Sequence, residues 1–188
     1  MTTTWLGIDP GADGTGIALI RTGTRPATLL DHDVILNDTG EVGTVYIARV
    51  LGAIDRIRCA HFDATTDSDR PRMAVEAVNS PTGFANGRRH PIDPAHLLGC
   101  AMVLGAVLAA YPDSVLVPPG GNGHGAYASY PPELVTAGER RRADWSTRPA
   151  GQSTDLRHAR SAFDVARQGP RCARRNRLAH LTRQEPLL

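Results

Sequence analysis

Between Thr4 and Ile20 the chain reads TWLGIDPGADGTGIALI, two apolar runs separated by Pro10-Gly11-Ala12-Asp13-Gly14. Runs this short, rich in β-favouring residues and broken by Pro and Gly, form the strands of a hairpin and not a helix. The constraint is sharpened by Asp9, which closes the first run and so fixes a carboxylate at a strand end. An Asp before Pro-Gly has an ordinary use, which is to hold the turn through its side chain. A second use arises only if other polar groups reach the same edge of the sheet.

The residues that follow extend this hairpin and cover it. ATLLDHDVIL, residues 27–36, predicts a third strand and hence an antiparallel meander. From Thr39 to Phe62, Val45, Ala48, Val50, Leu51, Ile54 and Ile57 recur at helical spacing, with Thr39 available as a cap. RMAVEAV, residues 72–78, predicts a buried strand, Asp93 to Tyr111 a strongly apolar helix, and SVLV, residues 114–117, a fifth short strand. Residues 118–153 then turn rich in Gly and Pro, with one short helical stretch near PELVTAGERRR, and a loop of such length in a compact domain is functional or lacks fixed structure. A last helix, about Thr154 to Gln168, would bury Leu156, Phe163 and Ala166. The order predicts a mixed α/β fold with one five-stranded sheet and helices on its faces, in a single domain over residues 1–168.

Charge and composition exclude several classes. All 21 basic residues are Arg, which removes any chemistry that needs a Schiff-base or phosphate-loop lysine. GGNGHG, residues 120–125, has phosphate-loop glycine spacing, but Ala126 and Tyr127 stand where Lys and Ser or Thr are required, so no nucleotide cofactor is expected. Cys59, Cys100 and Cys172 are widely spaced and form no paired motif for zinc or disulfides. No run approaches the roughly 18 apolar residues of a membrane span, and the N-terminus lacks a basic stretch followed by an apolar core, so the expectation is a cytoplasmic protein without a membrane partner. From Arg167 onward six Arg face one acid, Glu185, making residues 169–188 a basic tail suited to phosphates.

Two further positions stand out beside Asp9. Glu76 sits inside the apolar strand, between Met73-Ala74-Val75 and Ala77-Val78, where an isolated carboxylate costs several kcal/mol unless it is paired, bound to a cation or turned to solvent at the strand end. In DLRHARSAFDVA, residues 155–166, Asp155, His158, Ser161 and Asp164 recur every three residues along one ridge, as a solvated helix face or as part of a site. Carboxylates from a first strand, a fourth strand and a late helix converge only if strands one and four are neighbours. Such oxygen ligands with one imidazole suit Mg²⁺ or Mn²⁺ better than zinc, and a pair of these ions can hydrolyse a phosphodiester.

These residues carry a family resemblance. WLGIDPGADGTGIALI resembles the first-hairpin motif of the RuvC-like Holliday-junction resolvases of the ribonuclease H-like superfamily, where an Asp ends the first strand before a Pro-Gly turn. MAVEAV is similar to the family's fourth-strand segment with its catalytic Glu, and HARSAFDVA resembles its C-terminal helix motif, in which an Asp or His precedes an Asp by three residues. The resemblance covers about residues 4–168. It implies a ribonuclease H-like mixed sheet, and a metal pair held by Asp9, Glu76 and an acidic residue of the last helix. Two registers fit that helix. With His158 at the first family position, Ser161 falls where an Asp is expected; with Ser161 first, Asp164 supplies the carboxylate and His158 becomes an accessory ligand or proton carrier. The second register is the expected one because it provides the third carboxylate.

The resemblance further implies a metal-dependent, structure-selective DNA endonuclease acting on branched DNA, as a homodimer because two symmetric nicks need two sites. Phe84 would stack on bases, with Arg88 and Arg89 on phosphates, and Arg140, Arg141 and Arg142 near Trp145 would form a second basic patch. The apolar helix after Asp93 serves the core or the dimer surface, core being the expected use. Two alternatives remain beside this reading: a nucleic-acid-binding relative with a decayed site, and a nuclease of the same fold with another nucleic-acid substrate.

Overall fold

The computed structural model describes residues 2–23, 26–62, 70–78, 82–85, 88–91, 93–142 and 156–183, with backbone alone for 82–85, 88–91 and 177–183. Strands β1 (Thr3–Asp9), β2 (Gly14–Thr22) and β3 (Thr28–Leu36) form the expected antiparallel meander, with Asp9 opposite Gly16 and Leu6 opposite Leu19. Strand β4 (Arg72–Glu76) lies parallel beside β1, and β7 (Val115–Val117) parallel beside β4, giving the order β3-β2-β1-β4-β7. This is the mixed five-stranded sheet expected of a ribonuclease H-like fold.

Both sheet faces are covered, which is why β1 and β2 read as nearly continuous apolar runs. The strand period of two sorts their side chains between two cores. Leu6, Ile8, Ile17, Leu19, Met73 and Val75 pack with helices α1 (Thr44–His61) and α2 (Pro94–Ala110). Trp5, Ala18, Ile20 and Ala74 pack on the other face, under helix α4 (Leu156–Arg183). By the same alternation Asp9 shares the α4 face with Trp5 and Gly7, and Glu76 shares it with Ala74. Since Ile8 pairs with Val75, the two acids end adjacent parallel strands side by side.

Helix α4 approaches the sheet more closely than side chains would allow. A Cβ at Gly7 would lie 2.0 Å from the Ala162 carbonyl oxygen, and one at Gly16 2.0 Å from that of His158. Gly7 and Gly16 therefore make a groove into which Ala159, Ala162 and Ala166 settle, and the helix brings His158 down to the end of β1.

Several elements differ from the sequence expectation. Helix α1 starts at Thr44 with Gly43 as its N-cap, because the Thr39 hydroxyl is occupied by Asn37 Oδ1 and the Glu41 carbonyl. Its buried face is Tyr46, Val50, Ala53, Ile54 and Ile57, while Val45 is 75% exposed and Ala48 faces solvent. Helix α2, capped by Asp93 on the Ala95 N–H, buries only Gly99, Val103 and Val107 and leaves Leu98 and Met102 exposed, so one stripe of it, not the whole helix, is core. Beyond the elements read from the sequence, β5 (Thr82–Ala85) pairs antiparallel with β6 (Arg88–Pro91). The last helix continues past Gln168 through Pro170 to Arg183, with Cys172 and Ala173 buried. The count of arginines in the tail hides this face, since Arg167, Arg171, Arg174 and Arg175 all point to solvent.

The Gly/Pro-rich segment is more ordered than its composition suggests. Two single-turn 3₁₀ helices (Tyr127–Ser129 and Pro132–Leu134) and α3 (Ala137–Arg140) pack Tyr127, Tyr130, Leu134 and Val135 into the α4 core. Arg160, fully buried on α4, anchors the segment by donating to the Leu134 carbonyl and pairing with Glu139 at 3.4 Å. Glu139 in turn closes a capping box with Thr136 at the start of α3. Among the described residues no helix is long and apolar enough to cross a membrane.

Candidate active site

Asp9 and Glu76 open into a cavity of about 250 Å³ at the ends of β1 and β4, walled by Arg157, His158 and Ser161 of α4 and by the loop Gly120–His124 that follows β7. His158 Nδ1 lies 3.0 Å from Asp9 Oδ2. Its other ring nitrogen, Nε2, accepts from Arg157 Nε at 3.2 Å. A guanidinium can only donate, so Nε2 carries no proton and the neutral ring donates Nδ1–H to Asp9. The imidazole is thereby fixed in tautomer and orientation.

Glu76 is held from both sides. Asn122 Nδ2 donates to its Oε1 at 3.0 Å and Ser161 Oγ to its Oε2 at 3.1 Å. Its carboxyl is pushed up to about 7, first by burial and then by the charge of Asp9 and a hydrogen bond between the two carboxyl groups, against the lowering effect of Asn122 and Ser161. With Asp9 beside it, Glu76 gives up its proton less readily than a free carboxyl, and a cation bound there would reverse that preference.

Asp164 occupies a different place from the one expected. Its Oδ2 accepts from the Gly123 N–H at 3.0 Å and from the Tyr130 hydroxyl at 2.8 Å, and its Oδ1 faces Arg167 at 3.3 Å. Tyr130 also accepts from the Gly125 N–H at 2.9 Å, and its own ionisation is raised by burial and by Asp164. The register is therefore the first of the two, with His158 beside Asp9 and Ser161 beside Glu76. The physical reason is the helical pitch: each three-residue step falls about 60° short of a turn, so the ridge that faces the cavity at His158 and Ser161 has rotated toward the loop by Asp164.

This arrangement bears on a metal. The hard oxygen donors of Asp9 and Glu76, with the Ser161 hydroxyl nearby, suit Mg²⁺ or Mn²⁺; Asn122 turns its NH2 group to Glu76 and gives its oxygen to Gln168, so it holds the carboxylate and offers no ligand. A pair of ions would need the third carboxylate, and Ser161 stands in its place. Among the described residues no three His, Cys, Asp or Glu side chains form a metal-binding group. His158 spends its Nδ1–H on Asp9 and its Nε2 on Arg157, so it orients the carboxylate and is not poised as a ligand.

The remaining expected contacts are not gathered here. Arg140, Arg141 and Arg142 are exposed at the end of α3 and none lines the cavity. Phe84 and Arg89 pair across the β5–β6 hairpin and Arg88 pairs with Ala85, but their side chains lie outside the described residues, as do Trp145 and Asp155. Conversely, Asn122, Arg157 and the Asp164–Tyr130 clamp were not singled out from the sequence as parts of the site. The signal for Asn122 is GGNGHG itself: Gly120, Gly121 and Gly123 adopt positive φ, which folds the loop after β7 back over Glu76 on the neighbouring strand.

No protein-family model matches the chain, and no curated protein matches it. Among solved structures it is similar to RuvC of Thermus thermophilus in complex with a Holliday junction substrate, at 19% identity over 92% of this chain and 95% of that one, with a TM-score of 0.49. A second structure of Thermus thermophilus RuvC matches at 22% identity over 93% and 97% of the two chains, with a TM-score of 0.49. An Aquifex aeolicus member of the Ppx/GppA family matches at 10% identity over 69% of this chain and 39% of that one, with a TM-score of 0.38.

Proposed function

We propose that the chain is a divalent-metal-dependent endonuclease that hydrolyses phosphodiester bonds in branched DNA, working as a homodimer. The observation that carries the reading is the pairing of Asp9 and Glu76 at the ends of adjacent parallel strands, in one cavity where burial and the neighbouring Asp9 make Glu76 hold its proton up to about 7. When bound between them, Mg²⁺ or Mn²⁺ would supply Lewis-acid activation of water and of the phosphate. The chain's own groups do the rest. Asp9 is oriented by the His158 Nδ1–H, and Glu76 by Asn122 and Ser161. The branched substrate and the two-subunit assembly come from the motif resemblance around Asp9, Glu76 and His158.

Purified protein incubated with labelled four-way junction, flap and linear duplex, with Mg²⁺, Mn²⁺ or EDTA, tests the reading. Cleavage of the junction that needs the metal and is lost in Asp9→Asn supports it. Cleavage of flap or duplex in preference to the junction would move the substrate and keep the chemistry.

One observation favours a second reading, a DNA-binding relative that no longer cleaves: Ser161 fills the position where the resemblance calls for Asp, and Asp164 is committed to the loop. Ser161→Asp separates the two. If the site is active with a weakened metal, this variant binds Mn²⁺ more tightly and cleaves faster, by about tenfold for one added charge-assisted contact. If the site is decayed, wild type binds the junction without cutting it under either metal.

A further inference from the structure

Arg157 is the residue of the cavity whose terminal amino groups the catalytic reading leaves unused. It precedes His158 in the first turn of α4, is half-buried, and lines the same cavity as Asp9 and Glu76. Its Nε is spent on His158 Nε2. Among the described residues no carboxylate pairs with it, although Asp9 and Glu76 share the cavity, whereas Arg160 has Glu139 and Arg167 has Asp164. A half-buried guanidinium without a counter-anion is costly, and this one keeps its two terminal amino groups, the fork that matches two oxygens of a phosphate. Across the cavity, Gly120 and Gly121 carry no side chain to fill the space, and a Cβ at either would meet nothing within 4 Å. In a chain without lysine, Arg is the side chain left for a permanent charge at this position.

We propose that Arg157 is the substrate-phosphate contact of the site, gripping the non-bridging oxygens of one backbone phosphodiester beside Asp9 and Glu76. The identity of the ligand as a nucleic-acid phosphate rests on the nuclease reading above. The contact also couples binding to the catalytic side, because the same guanidinium fixes the imidazole that orients Asp9.

The test is a set of four-way junctions, each carrying a single uncharged methylphosphonate at one phosphate near the branch point, with binding measured in EDTA for wild type, Arg157→Gln, Arg157→Lys and the control Arg49→Gln. Arg49 lies on α1, paired with Asp38 and away from the cavity. Wild type and Arg49→Gln should lose roughly tenfold in affinity when one particular phosphate is neutralised. Arg157→Gln should bind the unmodified junction about tenfold more weakly and lose nothing further at that phosphate. Arg157→Lys, which keeps the charge without the fork, should fall between, and its binding also guards against a folding defect in Arg157→Gln. Equal affinities of Arg157→Gln and wild type, or losses at every phosphate that are the same in both, would overturn the proposal. So would a wild type that does not bind the junction. Coupling at one phosphate in a protein that cuts nothing would keep the contact and remove the nuclease reading; cleavage without coupling would do the reverse.

Discussion

Glu76 is where the fold takes closest control of a single ionisation. Its carboxyl holds a proton up to about 7, through burial and the neighbouring Asp9, against an ordinary value of 4.5. Between those values the folded chain binds more protons than the unfolded one, so metal-free stability falls as pH rises from about 4.5 to 7 and then levels off. Thermal melts in chelator should trace that decline. Glu76→Gln should flatten it and be the more stable protein at pH 8, by roughly 2–3 kcal/mol. Asp164 makes a contrasting prediction because its carboxylate is engaged by Gly123, Tyr130 and Arg167. Asp164→Asn weakens the clamp on Gly123 and Tyr130, so cleavage should fall about tenfold while Mn²⁺ affinity stays within about twofold; Asp9→Asn should lose both. Equal loss of Mn²⁺ binding in the two variants would return Asp164 to the ligand set. Glu76 stood out in the sequence because an acid inside an apolar strand is expensive, and Asp9 because it closes the first strand before a Pro-Gly turn. Asp164 was misread because spacing along a helix gives a ridge but not the direction in which the ridge turns. The partners that claim it, Gly123 and Tyr130, come from a segment distant in sequence.

At the scale of elements, the site depends on how closely α4 lies on β1 and β2. Gly16→Ala places a methyl 2.0 Å from the His158 carbonyl oxygen, and backbone cannot yield there without moving the helix. The variant should lose 3 kcal/mol or more in denaturant unfolding, on the order of the larger core overpacking penalties. Gly52→Ala is the matched control: it lies on the exposed side of α1 with nothing within 4 Å, and should gain about 0.5–1 kcal/mol from helix propensity alone. A Gly16→Ala protein as stable as wild type would mean that α4 does not press on the sheet. The core strands and three long helices were legible from periodicity. The β5–β6 hairpin was not, since its strands are four residues each and pair only with one another, although Asn86-Gly87 between them is a hairpin signal. The extension of α4 was missed for a different reason. Gly169, Cys172 and Ala173 continue its buried face, but they are small residues scattered among arginines, and a Cβ at Gly169 would lie 2.4 Å from the Trp5 ring.

For the whole molecule, the sheet order is what turns three separate motifs into one place. Parallel pairing of β1 with β4 was the condition for Asp9 and Glu76 to meet, and Ile8 opposite Val75 meets it. The loop after β7 and the start of α4 then close the cavity over them. The central claim is that this cavity is a one-ion centre built on two carboxylates. Titration of Mn²⁺ into metal-free protein, followed by electron paramagnetic resonance of the free ion, tests it with no assumption about substrate. The proposed reading predicts one Mn²⁺ per chain in wild type, unchanged in Asp164→Asn and lost in both Asp9→Asn and Glu76→Gln. A wild type that binds no Mn²⁺, or binding that survives the loss of Asp9 and Glu76, would contradict it.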